Sequence, residues 1–278
     1  MLMKIDAHQH FWQFNPQRDA WINEEMAVLK RDFLPEDLQP MLQQHQLDGC
    51  VAVQADSSEK ETEFLLNLAD KNLFIKGVVG WLDLCSDAID ERLAYYSEYE
   101  KLIGLRHIIQ AEPDGFMLRK DFRRGISALE KYNLTYDILI FPHQLEEAIA
   151  LVEAFPKQKF IIDHCAKPMI KNGEIAVWKD HIEKLAQFEN AACKVSGLTT
   201  EANWNTWSKD NIKPYLDVVF NAFGCKRTLF GSDWPVSLLA GNYSKTVDLI
   251  EDYIQQFSRT EQQQIMGINA KKWYQLKD

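Results

Sequence analysis

Residues 135–164 read TYDILIFPHQLEEAIALVEAFPKQKFIIDH. The run 135–141 is apolar and β-branched, as a buried strand requires. Over 143–155, Leu145, Ala148, Ile149 and Val152 recur at the 3.6-residue helical spacing, and the pattern ends before Pro156. A second apolar run, 159–164, follows directly. Two buried strands joined by a helical crossover form a βαβ unit, so the strands are expected to be parallel.

The same alternation extends in both directions. Further strand-like runs are 3–8 (MKIDAH), 50–55 (CVAVQA), 77–83 (GVVGWLD), 103–109 (IGLRHII), 193–197 (CKVSG) and 228–233 (TLFGSD). Helical spacing appears over 59–71 (Phe64, Leu65, Leu68, Ala69) and 119–131 (Phe122, Ile126, Leu129), and two closing helices over 244–257 and 260–276. Eight strand–helix units in 278 residues predict a single-domain α/β chain, a (β/α)8 TIM barrel over 1–278. A doubly wound open sheet is the alternative; no GxGxxG turn follows the first strand, which removes its commonest nucleotide-binding version. Pro40 and Pro214 fall inside helical patterns and predict a late start or a kink. The long connection 10–33 carries Trp12, Phe14 and Trp21 and reads as a lid or wall of a site.

Composition excludes several roles. Hydrophobic residues make up 46%, enough for a large core. A net charge of -10 without a Lys/Arg block argues against nucleic acid. No apolar run approaches the ~20 residues that span a membrane. The chain reaches Asp6 and His8 at once, so no secretory signal is expected. Cys50, Cys85, Cys165, Cys193 and Cys225 are odd in number, scattered, and form no CxxC pair. Reduced thiols in a cytoplasmic protein are expected. The acidic surface and aromatic loops permit a homo-oligomer without requiring one.

In a (β/α)8 barrel the site lies where strands end. The first strand ends in Asp6, His8 and His10, and residues two apart on a strand share a face. The fourth offers Arg106 and His107, the sixth Asp163 and His164, the seventh Lys194 and Ser196, the eighth Asp233. In strand four, Ile103, Leu105, His107 and Ile109 form the bulkier face and suit the helix side, which turns Arg106 to the barrel mouth. Lys194 and Ser196 share the inward face of strand seven. In strand six either Asp163 or His164 points inward.

Each residue alone has a structural explanation: Asp233 as a helix cap, Arg106 as an ion pair, Lys194 as a snorkelling chain. Their convergence at the ends of different strands is what argues for chemistry. Imidazole nitrogens and a carboxylate oxygen suit one divalent ion such as Zn²⁺. Asp233 suits proton transfer to and from water, and Arg106 and Lys194 suit an oxyanion or a substrate oxygen. Trp12, Trp81, Trp204, Trp207 and Trp234 lie at or beyond strand ends, where indoles stack on a small polar ring.

The segments Asp6-Ala7-His8-Gln9-His10-Phe11-Trp12, Gly104-Leu105-Arg106-His107, Ile162-Asp163-His164-Cys165-Ala166-Lys167-Pro168, Lys194-Val195-Ser196-Gly197-Leu198 and Phe230-Gly231-Ser232-Asp233-Trp234-Pro235-Val236 occur in this order along nearly the whole chain. In them the sequence resembles the amidohydrolase superfamily, in the amidohydrolase-2 branch that includes sugar-lactone hydrolases. The resemblance implies a distorted (β/α)8 barrel and hydrolysis of an ester or amide, with small sugar-acid lactones such as L-fucono- or L-rhamnonolactone as substrates. It implies His8 and His10 as metal ligands or substrate contacts, His164 as the sixth-strand histidine, and Asp233 as the residue that activates water. Arg106 and Lys194 would hold the lactone, and Trp12, Trp81, Trp204 and Trp234, placed by their positions at strand ends, are expected to bind it too. The chain departs from the two-metal pattern: Arg106 stands where a bridging lysine would end strand four, and Asp137 is the polar residue of strand five. One divalent ion, bound by His8, His10, His164 and Asp233, or none, is therefore expected. A metal-dependent decarboxylase of a small aromatic acid and a non-catalytic sugar-acid-binding barrel are the rival readings.

Overall fold

The structure, a computed structural model, describes residues 3–277. Among them, eight parallel strands follow one another in chain order: β1 (Ile5–Gln9), β2 (Gly49–Val53), β3 (Ile75–Gly80), β4 (Leu102–Ile108), β5 (Thr135–Leu139), β6 (Phe160–Ile162), β7 (Ala191–Val195) and β8 (Thr228–Phe230). A parallel bridge between Gln9 and Trp234 brings the last strand back to the first. Around the sheet lie α1 (Pro35–Gln44), α2 (Glu59–Lys71), α3 (Ile89–Tyr96), α4 (Lys120–Leu129), α5 (Leu145–Ala154), α6 (Ala176–Leu185), α7 (Lys209–Phe223), α8 (Tyr243–Ile254), α9 (Arg259–Gln263) and α10 (Asn269–Tyr274). This is the (β/α)8 barrel that the alternation predicts.

The helices start where their sequences cap them. Ser58 accepts from the Glu61 amide at the start of α2, and Asn242 from the Lys245 amide at the start of α8. Leu65 of α2, Ile126 of α4, Leu151 of α5, Val219 of α7 and Ile250 of α8 are buried in the layer that also holds Cys50, Leu105, Ile138, Phe160 and Phe230 of the strands. Each large apolar side chain taken out of water there stabilises the fold by roughly 1.5–3 kcal/mol. The helices α1 and α7 run through Pro40 and Pro214, so neither starts late. Both prolines sit in the second turn, where only one backbone hydrogen bond is forfeited.

A second apolar group fills the barrel itself: Ile5, Val51, Val53, Val79, Ile103, Ile161, Ala192 and Leu229, sealed below by Trp273, Tyr274 and Leu276 from the chain's end. Ile103 therefore lies inside, not on the helix side. The cause is a register slip between β3 and β4, where Val78 pairs with Leu102 but Val79 with Gly104. A similar irregularity in β1 separates Asp6 from His8. Asp6 instead accepts a hydrogen bond from the Tyr243 hydroxyl of α8 at 3.0 Å. Among the described residues, no helix is long and apolar enough to cross a membrane.

Candidate active site

The ends of β1 and β8 are locked together before any chemistry is placed on them. The Asp233 amide donates to the His8 carbonyl at 2.8 Å, the His10 amide to the Trp234 carbonyl at 2.7 Å, and the Ser232 amide to Asp6 Oδ1 at 2.8 Å. Gly231 makes this approach possible, because a Cβ there would stand 2.6 Å from His8 Cβ. The result places Asp233 beside both β1 histidines. Burial drives the Asp6 carboxyl up to about 6, against hydrogen bonds from Ser232, His8 and Tyr243 that favour its charge.

Strand six reaches the site by a different route. It stops at Ile162, and His164, Cys165, Ala166 and Lys167 all adopt left-handed φ between 50° and 56°. Left-handed conformation costs roughly 1–2 kcal/mol per non-glycine residue. The turn is held by the Trp178 indole N–H donating to the Cys165 carbonyl at 2.8 Å and the Cys165 thiol donating to the Lys194 carbonyl at 3.3 Å. Because the backbone leaves strand geometry after Asp163, both Asp163 and His164 point inward. Gly197, at φ +64, leaves space for the His164 ring, which a Cβ would meet at 2.6 Å. Asp233 is itself left-handed, at φ 57. Strained backbone sustained at these five residues fits a functional site.

Three donor atoms converge, with a fourth beside them. His8 Nε2 and His10 Nε2 are 3.2 Å apart, and Asp233 Oδ1 lies 3.4 Å from His10 Nε2 and 3.8 Å from both His8 Nε2 and His164 Nε2. Ligands roughly 2.0–2.2 Å from a tetrahedral ion stand roughly 3.3–3.6 Å from one another, so His8, His10 and Asp233 fit one divalent ion, with His164 beside Asp233 and grouped instead with His8 and Asp163. The outer ring nitrogens of His10 and His164 are held as such ligands require. His10 Nδ1 donates to the Val53 carbonyl at 2.8 Å, leaving Nε2 a lone pair. His164 Nδ1 pairs with Ser196 Oγ at 2.9 Å. Burial lowers the His164 ring to about 4 and the His8 ring well below its ordinary value, so both are neutral imidazoles at neutral pH. Burial pushes Asp233 up, but the surrounding imidazoles of His164, His10 and His8 overcome it and hold the carboxyl well below its usual range.

Beneath these atoms lies a buried charged layer. Arg106 Nη1 donates to Asp163 Oδ2 at 3.0 Å, and its Nη2 contacts the Gln54 carbonyl. Lys194 Nζ stands 2.6 Å from Asp137 Oδ2, 2.9 Å from Asp163 Oδ1 and 3.1 Å from His8 Nδ1. Two cations against two carboxylates balance, and Asp233 is left as the excess negative charge facing the cavity. Asp137 is raised to about 6 by burial, against the pull of Lys194. Burial also acts upward on Asp163, but Lys194, His8 and Arg106 hold it well below.

Above the donor atoms is a cavity of about 340 Å³. His10, Arg106, His164 and Asp233 form its base, Trp12, Trp21 and Val236 an apolar wall, and Gln110 and Lys167 polar positions opposite. Trp12 and Trp21 both come from the 10–33 connection, which forms the expected wall. Of the other tryptophans named from sequence, Trp234 is buried edge-on to Phe11 and Phe33, and the Trp81 indole donates to His107 Nδ1 at 3.0 Å. Trp204 lines a separate groove with Glu201 and Asn203. The structure does not bring these three to the cavity. Nor does it bring Lys194 there: that side chain is fully buried below the donor atoms. Reading by residue type left Asp163 as an alternative to His164 and missed Gln110 and Lys167 as cavity positions. Asp163 and Lys167 flank His164 in sequence, and that proximity is the signal that points to them.

A barrel with histidines at the ends of β1 and β6 and an aspartate at the end of β8 is an enzyme barrel of hydrolytic type. Residues 5–276 match the amidohydrolase family, and the chain belongs to it. It is 36% identical to the L-fucono-1,5-lactonase of Burkholderia multivorans, over 99% of this chain and 96% of that one. A crystal structure of an amidohydrolase from Burkholderia multivorans with bound zinc aligns at a TM-score of 0.96 and 37% identity, covering 99% of this chain and 100% of that one. A 2,6-dihydroxybenzoate decarboxylase from Rhizobium aligns at a TM-score of 0.72 and 14% identity, covering 99% of each chain, a likeness of fold alone.

Proposed function

We propose that this protein opens a small sugar-acid lactone of the L-fucono-1,5-lactone type by hydrolysis. The observation that carries the reading is the convergence of His8 Nε2, His10 Nε2 and Asp233 Oδ1, with His164 Nε2 3.8 Å from Asp233, at the base of a small cavity. It occurs in a chain similar over its whole length to such a lactonase.

His8, His10 and Asp233, with His164 beside them, would hold one divalent ion, and zinc suits their nitrogen and oxygen donors. Such an ion supplies Lewis acidity toward a carbonyl and makes a nearby water more acidic. The lactone ring lies against Trp12 and Trp21, with Lys167 and Gln110 toward its hydroxyls. Gln110 Oε1 is buried and has no partner within the protein, so it is an acceptor available to a substrate hydroxyl. Asp233 is ionised throughout the working range. It accepts the proton of the attacking water and returns it to the ring oxygen as the acyl bond breaks. Arg106, whose Nε–H also lacks a partner within the protein, stabilises the charge that develops on the carbonyl oxygen. Lys194 acts from below, through His8.

The reading is tested on a panel of aldonolactones followed by acid release, with 2,6-dihydroxybenzoate and carbon dioxide release in parallel. Saturable opening of a 1,5-lactone supports it. Decarboxylation without lactone opening, or tight sugar-acid binding without turnover, overturns it.

A further inference from the structure

The arginine and the lysine that line the catalytic cavity, Arg106 and Lys167, are each paired with a carboxylate outside it. Arg106 Nη1 donates to Asp163 Oδ2 at 3.0 Å. Lys167 Nζ stands 3.2 Å from Glu201 Oε1, and the two side chains are 20% and 21% exposed. Glu201 itself belongs to the neighbouring groove. Two loops bring this pair together. Lys167 ends the left-handed turn after β6, at φ 50, and its amide donates to the His164 carbonyl at 2.8 Å. The Lys171 amide donates to the Glu201 carbonyl at 3.0 Å, which ties the connection after β6 to the one after β7. Lys167 Nζ also lies 5.7 Å from the ring centre of Phe141, whose π face attracts a cation.

An ion pair this open to water contributes little to stability. What it changes is the charge that a bound molecule meets. The proposed reaction takes a neutral lactone and adds water across its acyl C–O bond. The ring oxygen leaves as a hydroxyl, and the carbonyl carbon becomes a carboxylic acid that ionises at neutral pH. Substrate and product therefore differ by one negative charge. A free ammonium at the cavity wall would hold the product more tightly than the substrate. An ammonium has three N–H donors, so pairing one with Glu201 leaves two for neutral hydroxyls while its charge is already answered.

We propose that Glu201 is a positioning residue that sets the charge preference of the site: by pairing with Lys167 it keeps the cavity selective for a neutral lactone and lets the anionic acid leave. The proposal rests on the reading of the cavity as a lactone site given above. It extends that reading to ligand class, since lactones that carry a free carboxylate are disfavoured together with the product. Specificity is a difference of affinities, and here a carboxylate that touches no ligand creates it.

The test is Glu201→Gln, which keeps the side chain's shape and removes its charge. KM for L-fucono-1,5-lactone and Ki for L-fuconate as product inhibitor are measured in the same buffer with the same zinc supplied. A general loosening of the cavity weakens both ligands, so the ratio of Ki to KM isolates the charge at the wall. A hydrogen bond between a free ammonium and a carboxylate changes affinity by about tenfold or more, so the ratio is expected to fall about tenfold in Glu201→Gln. Adding Lys167→Gln to that variant should return the ratio to within about threefold of wild type. A ratio within about threefold of wild type in Glu201→Gln alone, or a fall that persists in the double variant, overturns the proposal. A wild-type protein that opens no lactone fails the functional reading instead. Calorimetric Kd values for L-fuconate and the neutral L-fucitol then supply the ratio, and no L-fuconate binding by Glu201→Gln overturns the proposal. Should Glu201→Gln not fold, Lys167→Gln decides alone: it bares Glu201, so the ratio rises, and an unchanged or lowered ratio overturns the proposal.

Discussion

The two ends of the barrel interior are both buried and chemically opposite. At the floor, Ile5, Val51, Ile103, Ile161 and Leu229 pack on Trp273 with no charge among them. At the mouth, Arg106, Lys194, Asp137, Asp163 and Asp233 are buried with three histidines. Apolar burial at the floor returns free energy for every side chain removed from water. Buried ion pairs at the mouth at best offset their own desolvation, so they are poor candidates for holding the fold. A chain that keeps five buried charges at one end and none at the other has placed stability below and function above.

That contrast is broken most severely by removing one charge from the mouth. Lys194→Met leaves Asp137 and Asp163 without their shared cation, and a stability loss of about 3–5 kcal/mol is expected in urea unfolding. An unchanged unfolding midpoint would mean that the layer is not coupled as its distances indicate. Next comes the floor. Ile161→Ala should lose about 2–4 kcal/mol in the same assay, yet leave kcat within twofold, because no part of that side chain reaches the cavity. A large fall in kcat at unchanged KM would erase the division between the two ends.

How much of this division can be read from residue order depends on where the backbone stays regular. Alternation turns Arg106, Lys194 and Ser196 inward, and they are inward. It fails at Ile103 and Asp6, where register slips shift which side chain faces the interior. It leaves Asp163 and His164 as alternatives, because nothing in Asp163-His164-Cys165-Ala166-Lys167 announces four left-handed residues in a row. The tryptophans show a different limit. Trp81 and Trp204 follow strand ends, but their indole N–H groups are satisfied by His107 and by the Thr200 carbonyl, away from the cavity. Position along the chain says that an aromatic residue is near the mouth, not which way it faces.

The smallest effect sharpens the comparison at its rim. Burial raises the Glu61 carboxyl of α2 to about 7; the Ala55 amide and Arg18 oppose that, while Asp56 and Asp19 add to it. An acid whose folded pKa lies above its ordinary value of about 4.5 favours folding while neutral. Its contribution is therefore full at low pH and is lost as pH rises through 7. Glu61→Gln, which cannot ionise, should melt about 2–6 °C above wild type at pH 9, with the difference shrinking by pH 5. A difference that is constant with pH would remove Glu61 as its source.

The central claim is that the charged mouth exists for chemistry and that Asp233 is its proton carrier. It is tested most directly by kcat/KM for L-fucono-1,5-lactone in wild type and Asp233→Asn, measured in the same buffer with the same zinc supplied. A fall of about 10³-fold, with the variant folded and melting within a few degrees of wild type, is the predicted result. Full activity in Asp233→Asn would contradict the account.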